Sequence, residues 1–143
     1  MLLTNAFSIS MIGPCEEWMP NGVSFQRITP RRASEMAQIA AKNGDLDTAV
    51  GHADTAALFS GILGVPVVAN RASVMLVHGV PMLVGQYKGP RLPEGASTLP
   101  EGASIEWWLV RLTMLSSEIE ASMETPVVQK LQELYDRGAW DGR

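Results

Sequence analysis

The sequence predicts an α+β fold, a mixed or antiparallel sheet of about five strands with helices mainly on one face. Three observations lead there. Short apolar runs with period-two alternation are interleaved with longer segments of helical period. Helix punctuation stands at Thr29-Pro30, Asn43-Gly44 and Gly64. His78-Gly79 sits between two apolar runs, as a tight hairpin turn would.

The elements follow in chain order. "LLTNAFSIS" has a strand-like start. Gly13-Pro14 and Pro20-Asn21-Gly22 bracket a loop that holds Cys15 and Trp18. "VSFQRI" alternates Val23 and Phe25 and reads as a short strand. Thr29 is then an N-cap with Pro30 at the first helical position. The helix presents Ala33, Met36, Ala37 and Ala40 on one face and stops at Asn43-Gly44. A second helix starts near Gly51, with Ala56, Phe59, Ile62 and Leu63 at helical spacing and Gly64 as C-cap. "SVMLV", "PMLVGQY" and "SIEWWLVRLTML" read as strands. After Thr125-Pro126, "VVQKLQELYDR" reads as a last helix. Residues 1–143 are read as a single domain, with a C-terminal extension from about 115 packed on it.

Composition narrows the function. Hydrophobic residues make up 46% and charged residues 18%, a composition that folds. Net charge is −4, which disfavours a broad basic face for long nucleic acid. A bound polyanion must then occupy a local basic pocket. Cys15 is the single cysteine, so there is neither an internal disulfide nor a zinc pattern. The N-terminus lacks a basic leader segment, and the apolar runs fall far short of the ~20 residues of a membrane span. The expected setting is the cytoplasm, with no membrane partner and no cofactor.

Candidate site residues cluster in three places. His52 lies at the start of the second helix, where open N–H groups and the helix dipole attract anions. Gly51 admits a close ligand, and Thr55 faces the same way one turn on. An imidazole there suits proton donation to a phosphate ester's leaving group; the competing reading is a histidine that merely closes the helix or sits on the surface. Arg71, Lys88 and Arg91 offer charges for phosphate, or are solvated loop charges. Third is a doubled motif: Pro93-Glu94-Gly95-Ala96-Ser97 returns as Pro100-Glu101-Gly102-Ala103-Ser104. It has the grammar of two type I turns, with proline second and glycine fourth. Spacing does not rank Glu94 against Glu101, but Arg91, three residues before Glu94, would hold that carboxylate ionised. Trp107 and Trp108 are adjacent and must face opposite sides of a strand, one to the core and one to an interface or a stacked base.

"LTNAFSISM", "AVGHADTAALFSGILGV", "VVANR" and "VGQYKGPRLPEG" together resemble the small viral ring nucleases, in order from about Leu2 to Val110. Those anti-CRISPR proteins of viruses and phages destroy cyclic tetra-adenylate, the second messenger of type III CRISPR defence. The resemblance implies His52 and Glu94 as catalytic residues, and Asn5, Ser8, Asn70, Arg71 and Arg91 as ligand contacts. It also implies a homodimer, or a higher assembly of dimers, closing over one ring. This chain departs from the pattern in its second Pro-Glu-Gly unit, its stretch after Val110, and Ala53-Asp54 directly after the histidine, where Asp54 puts a negative charge near the phosphate site.

The expected chemistry is metal-independent. A ribose 2′-OH attacks the adjacent phosphorus and leaves a 2′,3′-cyclic phosphate. His52 would protonate the leaving oxygen, Glu94 would act as base or positioner, and the arginines would hold phosphate. Two alternatives stand beside this: a sponge that binds the cyclic nucleotide without cutting it, and a viral interaction or regulatory protein that uses its acidic surface and tryptophans.

Overall fold

The computed structural model describes residues 1–13 and 21–114. Internal contacts divide the chain into two units, Met1–Pro14 with Val23–Thr113 and Cys15–Gly22 with Met114–Arg143. Everything below concerns the first. The Cys15–Trp18 loop, the last helix and the C-terminal extension lie outside the described residues.

Five strands form one mixed sheet: β1 (Leu2–Thr4), β2 (Asn21–Ile28), β3 (Asp47–Ala49), β4 (Met82–Lys88) and β5 (Ser104–Met114). Their order across the sheet is β2-β5-β4-β1-β3. β1 runs parallel to both neighbours, with Leu3 opposite Thr48 on one side and Leu83 on the other. β4 and β5 are antiparallel, with Gly85 opposite Trp107. The expected α+β class with a mixed five-stranded sheet is thus the observed one.

Two helices pack on one face. Thr29 caps α1 (Pro30–Lys42) by accepting the Arg32 N–H, with Pro30 in the first turn, and Asn43 ends it. His52 is the N-cap of α2 (Ala53–Leu63), and Gly64 closes it in the left-handed conformation. α1 contributes Ala33 and Ala37 to the main core, and α2 contributes Ala56, Phe59 and Leu63. Leu3, Leu83 and Trp107 meet them from the sheet. Small alanines on α1 let the helix lie close to the larger α2 side chains. Trp107 is only 2% exposed and packs on Phe59, ring centroids 5.0 Å apart. Gly85 makes the room, because a Cβ there would stand 2.6 Å from the Trp107 ring and 2.7 Å from Phe59.

The opposite face is covered by irregular chain. Met82, Val84 and Val110 pack there with Leu76, and Phe7, Met11, Val74 and Trp108 lie against them. The adjacent tryptophans therefore split as strand alternation requires, Trp107 to the helix side and Trp108 to the other.

One sequence reading needs correction, and one strand escaped it. "SVMLV" is not a strand: its one sheet-like contact is an isolated Val77–Val80 bridge around the His78-Gly79 turn. Its Val74 and Leu76 cover the sheet instead, Leu76 donating its N–H to the Met11 carbonyl at 2.8 Å, while Met75 and Val77 are exposed. The fifth strand is Asp47–Ala49, too short at three residues to show alternation. The strand-like start of the N-terminal segment is observed as β1, after which Ser8 caps a short 3-10 turn, Ile9–Met11.

Candidate functional site at the carboxyl ends of the parallel strands

Strands β1, β3 and β4 point the same way, so the residues that follow them meet at one edge of the sheet. Asn5 follows β1, Gly51-His52 follows β3, and Gly89-Pro90-Arg91 follows β4. Open sheets place ligands at this edge, where chain leaving the strands forms a crevice. A cleft of about 400 Å³ lies here, lined by His52, Asp54, Thr55, Tyr87, Gly89, Pro90, Arg91 and Leu92.

Gly51 is clamped on both sides. Its N–H donates to the Asn5 Oδ1 at 3.4 Å, and its carbonyl accepts from the Arg71 Nε at 3.0 Å. Asn70 brings Arg71 there: its N–H donates to the Val50 carbonyl at 2.8 Å and its Nδ2 to the Thr48 carbonyl at 2.9 Å. The segment before Arg71 thereby runs along the β3 edge. Neither packing nor backbone explains the glycine at 51. Its φ is not positive, and a Cβ would meet only the Arg71 Cγ at 3.6 Å, an ordinary contact.

His52 is exposed and has extended backbone. Its side chain makes no capping hydrogen bond, so it leaves the first-turn N–H groups of α2 without a side-chain acceptor of its own. Thr55 is buried at 9% exposure on the cleft wall. Arg91 is exposed and lines the same cleft. The expected Arg91–Glu94 ion pair is absent among the described residues.

The doubled motif forms two turns of one kind. The Ala96 N–H donates to the Pro93 carbonyl and the Ala103 N–H to the Pro100 carbonyl, each at 3.1 Å. Proline is therefore the first residue of each turn, not the second. Gly95 and Gly102 are the third, with φ of 75° and 76°, the signature of type II rather than the expected type I. Only the first turn is fastened to α2 in the described contacts. The Gly95 N–H donates to the Asp54 Oδ1 at 3.4 Å. Glu94 is exposed on this turn and is not part of the cleft wall.

Two expected ligand residues lie elsewhere. The Ser8 hydroxyl accepts the Ser10 N–H at 3.3 Å as a local cap. Lys88 has the strand parity of Gln86 and Val84, so it projects from the face opposite Tyr87. There its Nζ donates to the Glu106 Oε1 at 3.0 Å. Arg27 reaches the same oxygen at 3.3 Å and lies over the Trp108 ring. The Lys88 hydrogen bond, aided by both positive charges, holds the Glu106 carboxyl below its usual range.

Sequence reasoning missed Tyr87. Its hydroxyl donates to the Pro90 carbonyl at 2.6 Å and so shapes the turn that carries Arg91. The available signal was parity: Tyr87 follows Leu83 and Gly85 on the helix side of the strand. Asp54, read from sequence only as a negative charge beside the histidine, is the acceptor that fastens the first Pro-Glu-Gly turn.

Fold and site together define a small α+β domain with a polar cleft at the carboxyl ends of its parallel strands. The profile of the STIV B116-like family matches residues 1–105, and the chain belongs to that family. Among solved structures it is similar to B116 of Sulfolobus turreted icosahedral virus, with 25% sequence identity and a TM-score of 0.64. That match covers 77% of this chain and 97% of the viral protein. The search of curated proteins found no match.

Proposed function

We propose that the protein is a metal-independent phosphodiesterase that opens a cyclic oligoadenylate ring, cyclic tetra-adenylate in the first instance. In this reading it is a viral ring nuclease acting in the host cytoplasm to silence type III CRISPR signalling. The observation that carries the reading is the cleft lined by His52, at the α2 N-terminus, together with Arg91 and Thr55. A glycine at 51 that no protein contact requires supports a ligand lying close to that backbone. Family membership and the likeness to a viral protein support the same reading.

The chemistry asks for few groups. Arg91 and the first-turn N–H groups of α2 stabilise the phosphate oxygens as charge builds. The Arg71 Nε already holds the Gly51 carbonyl beside His52, and in this reading the rest of its guanidinium serves as a second phosphate donor. The 2′-oxygen attacks phosphorus, the 5′-oxygen leaves, and the His52 imidazolium gives it a proton. Glu94 accepts from the 2′-OH or orients it. Two copies of the domain, related by a two-fold axis, enclose one ring and bring a His52 to opposite phosphates.

A second reading is a sponge. It is favoured by the His52 imidazole, which has no hydrogen-bond partner among the described residues to fix its orientation. Incubation with cyclic tetra-adenylate in EDTA separates the readings by chromatography of the products. Linear products ending in 2′,3′-cyclic phosphate support the nuclease. Tight binding of intact ring supports the sponge. No binding leaves an interaction protein. Light scattering with titration calorimetry is expected to give a homodimer that binds one ring per dimer, and a monomer binding one ring per chain would overturn the shared site.

A further inference from the structure

The doubled motif raises a question of position: what makes the first Pro-Glu-Gly turn different from its copy. The loop after Arg91 runs along α2 and touches it at two places. At one, the Gly95 N–H donates to the Asp54 Oδ1. At the other, a Cβ on Gly61 would stand 2.4 Å from the Ser97 carbonyl oxygen, so the backbones lie in close approach. Asp54 and Gly61 are seven residues apart, about two helical turns, and share one face of α2. A carboxylate and a missing side chain thus hold the two ends of the 95–97 segment against one helix. Glu94 directly precedes this fastened segment, so its backbone is tied to the segment through one peptide bond. Asp54 also lines the cleft that holds His52, so the strap is referenced to the catalytic edge itself.

We infer that Asp54 is a positioning residue for Glu94, acting through its hydrogen bond to the Gly95 backbone. It touches no substrate atom in this role. The inference rests on the nuclease reading for the function of Glu94, while the fastening itself does not depend on it.

The test compares Asp54→Ala, Asp54→Asn, Glu94→Ala and the Asp54→Ala/Glu94→Ala double variant of the full chain. The readouts are single-turnover cleavage of cyclic tetra-adenylate, calorimetric binding of the same ring, and exchange of the Gly95 amide proton by NMR. Asp54→Ala is expected to slow cleavage about tenfold, the scale of one hydrogen bond to a charged group, with affinity for the ring within about threefold of wild type. Asp54→Asn keeps an acceptor oxygen and is expected to restore most of the rate. Asp54→Ala should add nothing once Glu94 is gone. The Gly95 amide should exchange faster in Asp54→Ala than in wild type. Independent, additive losses in the double variant would overturn the proposal, because Asp54 would then act by another route. So would an Asn variant as slow as the Ala variant, which would assign the effect to charge beside His52. A Gly95 amide indifferent to Asp54→Ala would overturn it without any reference to catalysis. A wild-type protein that leaves the ring intact while Gly95 responds to the substitution would instead sink the nuclease reading.

Discussion

The two Pro-Glu-Gly turns share five residues of sequence, one hydrogen-bond pattern and nearly the same glycine φ, 75° and 76°. They differ in what they lie against. The first is fastened to α2 through Asp54 and followed by the close approach of Ser97 to Gly61. The second leads directly into β5, and a Cβ on either Gly95 or Gly102 would meet open space. Local sequence therefore makes the turn, and a neighbouring helix decides which turn is fastened. Identical local chemistry acquires different surroundings through a single acceptor oxygen, the Asp54 Oδ1.

Substitutions can break or sharpen that contrast. The largest effect sets the scale: His52→Ala should slow ring cleavage by about two to four orders of magnitude, the range of a general acid, with an unchanged melting curve. A rate within threefold of wild type would remove His52 from the mechanism. Glu94→Ala should cost about a hundredfold, whereas Glu101→Ala should stay within about twofold, as surface substitutions away from special features do. Equal losses would mean that loop shape matters and that neither carboxylate is special.

Next is Gly61→Ala. By propensity alone it should strengthen α2 by about 1 kcal/mol. The Ser97 carbonyl at 2.4 Å from the new Cβ opposes this, and carbonyl backbone must shift to admit it. We expect turnover to fall several-fold with little change in melting temperature, since a helix gain and a loop displacement offset each other. Unaltered turnover would show that the strap's far end is not needed to hold Glu94.

The smallest effect lies away from both turns. Glu106 has a folded pKa held low by Lys88, so its ion pair stabilises the fold above the ordinary carboxylate range and is lost as pH falls through the lowered value. Glu106→Gln should remove that part of the acid dependence while leaving cleavage at neutral pH within about twofold, because exposed pairs contribute little. A large loss of cleavage would tie the Lys88 face to the site.

Much of the domain was legible as sequence. Thr29-Pro30, Asn43 and Gly64 mark helix ends because their effects act within one turn of their own chain. Trp107 and Trp108 had to face opposite ways because a strand alternates. His52 could be set at a helix start from the Gly-His pair and the apolar spacing after it. What resisted reading depends on partners distant in sequence. Asp47–Ala49 is a strand only because β1 lies beside it. The segment 73–77 has a strand's apolar content, but Val74 and Leu76 cover the sheet instead of joining it, with Leu76 bonded to Met11. Lys88 and Arg91 are three residues apart and equally basic, yet the pleat turns Lys88 toward Glu106 while the turn pinned by Tyr87 carries Arg91 to the cleft. Asp54 likewise looked like an unwelcome charge until folding set the Gly95 N–H against it, 41 residues along the chain. Sequence by itself determined the helix ends and the presence of the two turns, since those follow from dihedral and capping preferences within a few residues, though not the register or type of the turns. Only the tertiary structure decided which of two identical turns meets a carboxylate, because that contact exists only after α2 and the loop have packed on the same side of the sheet.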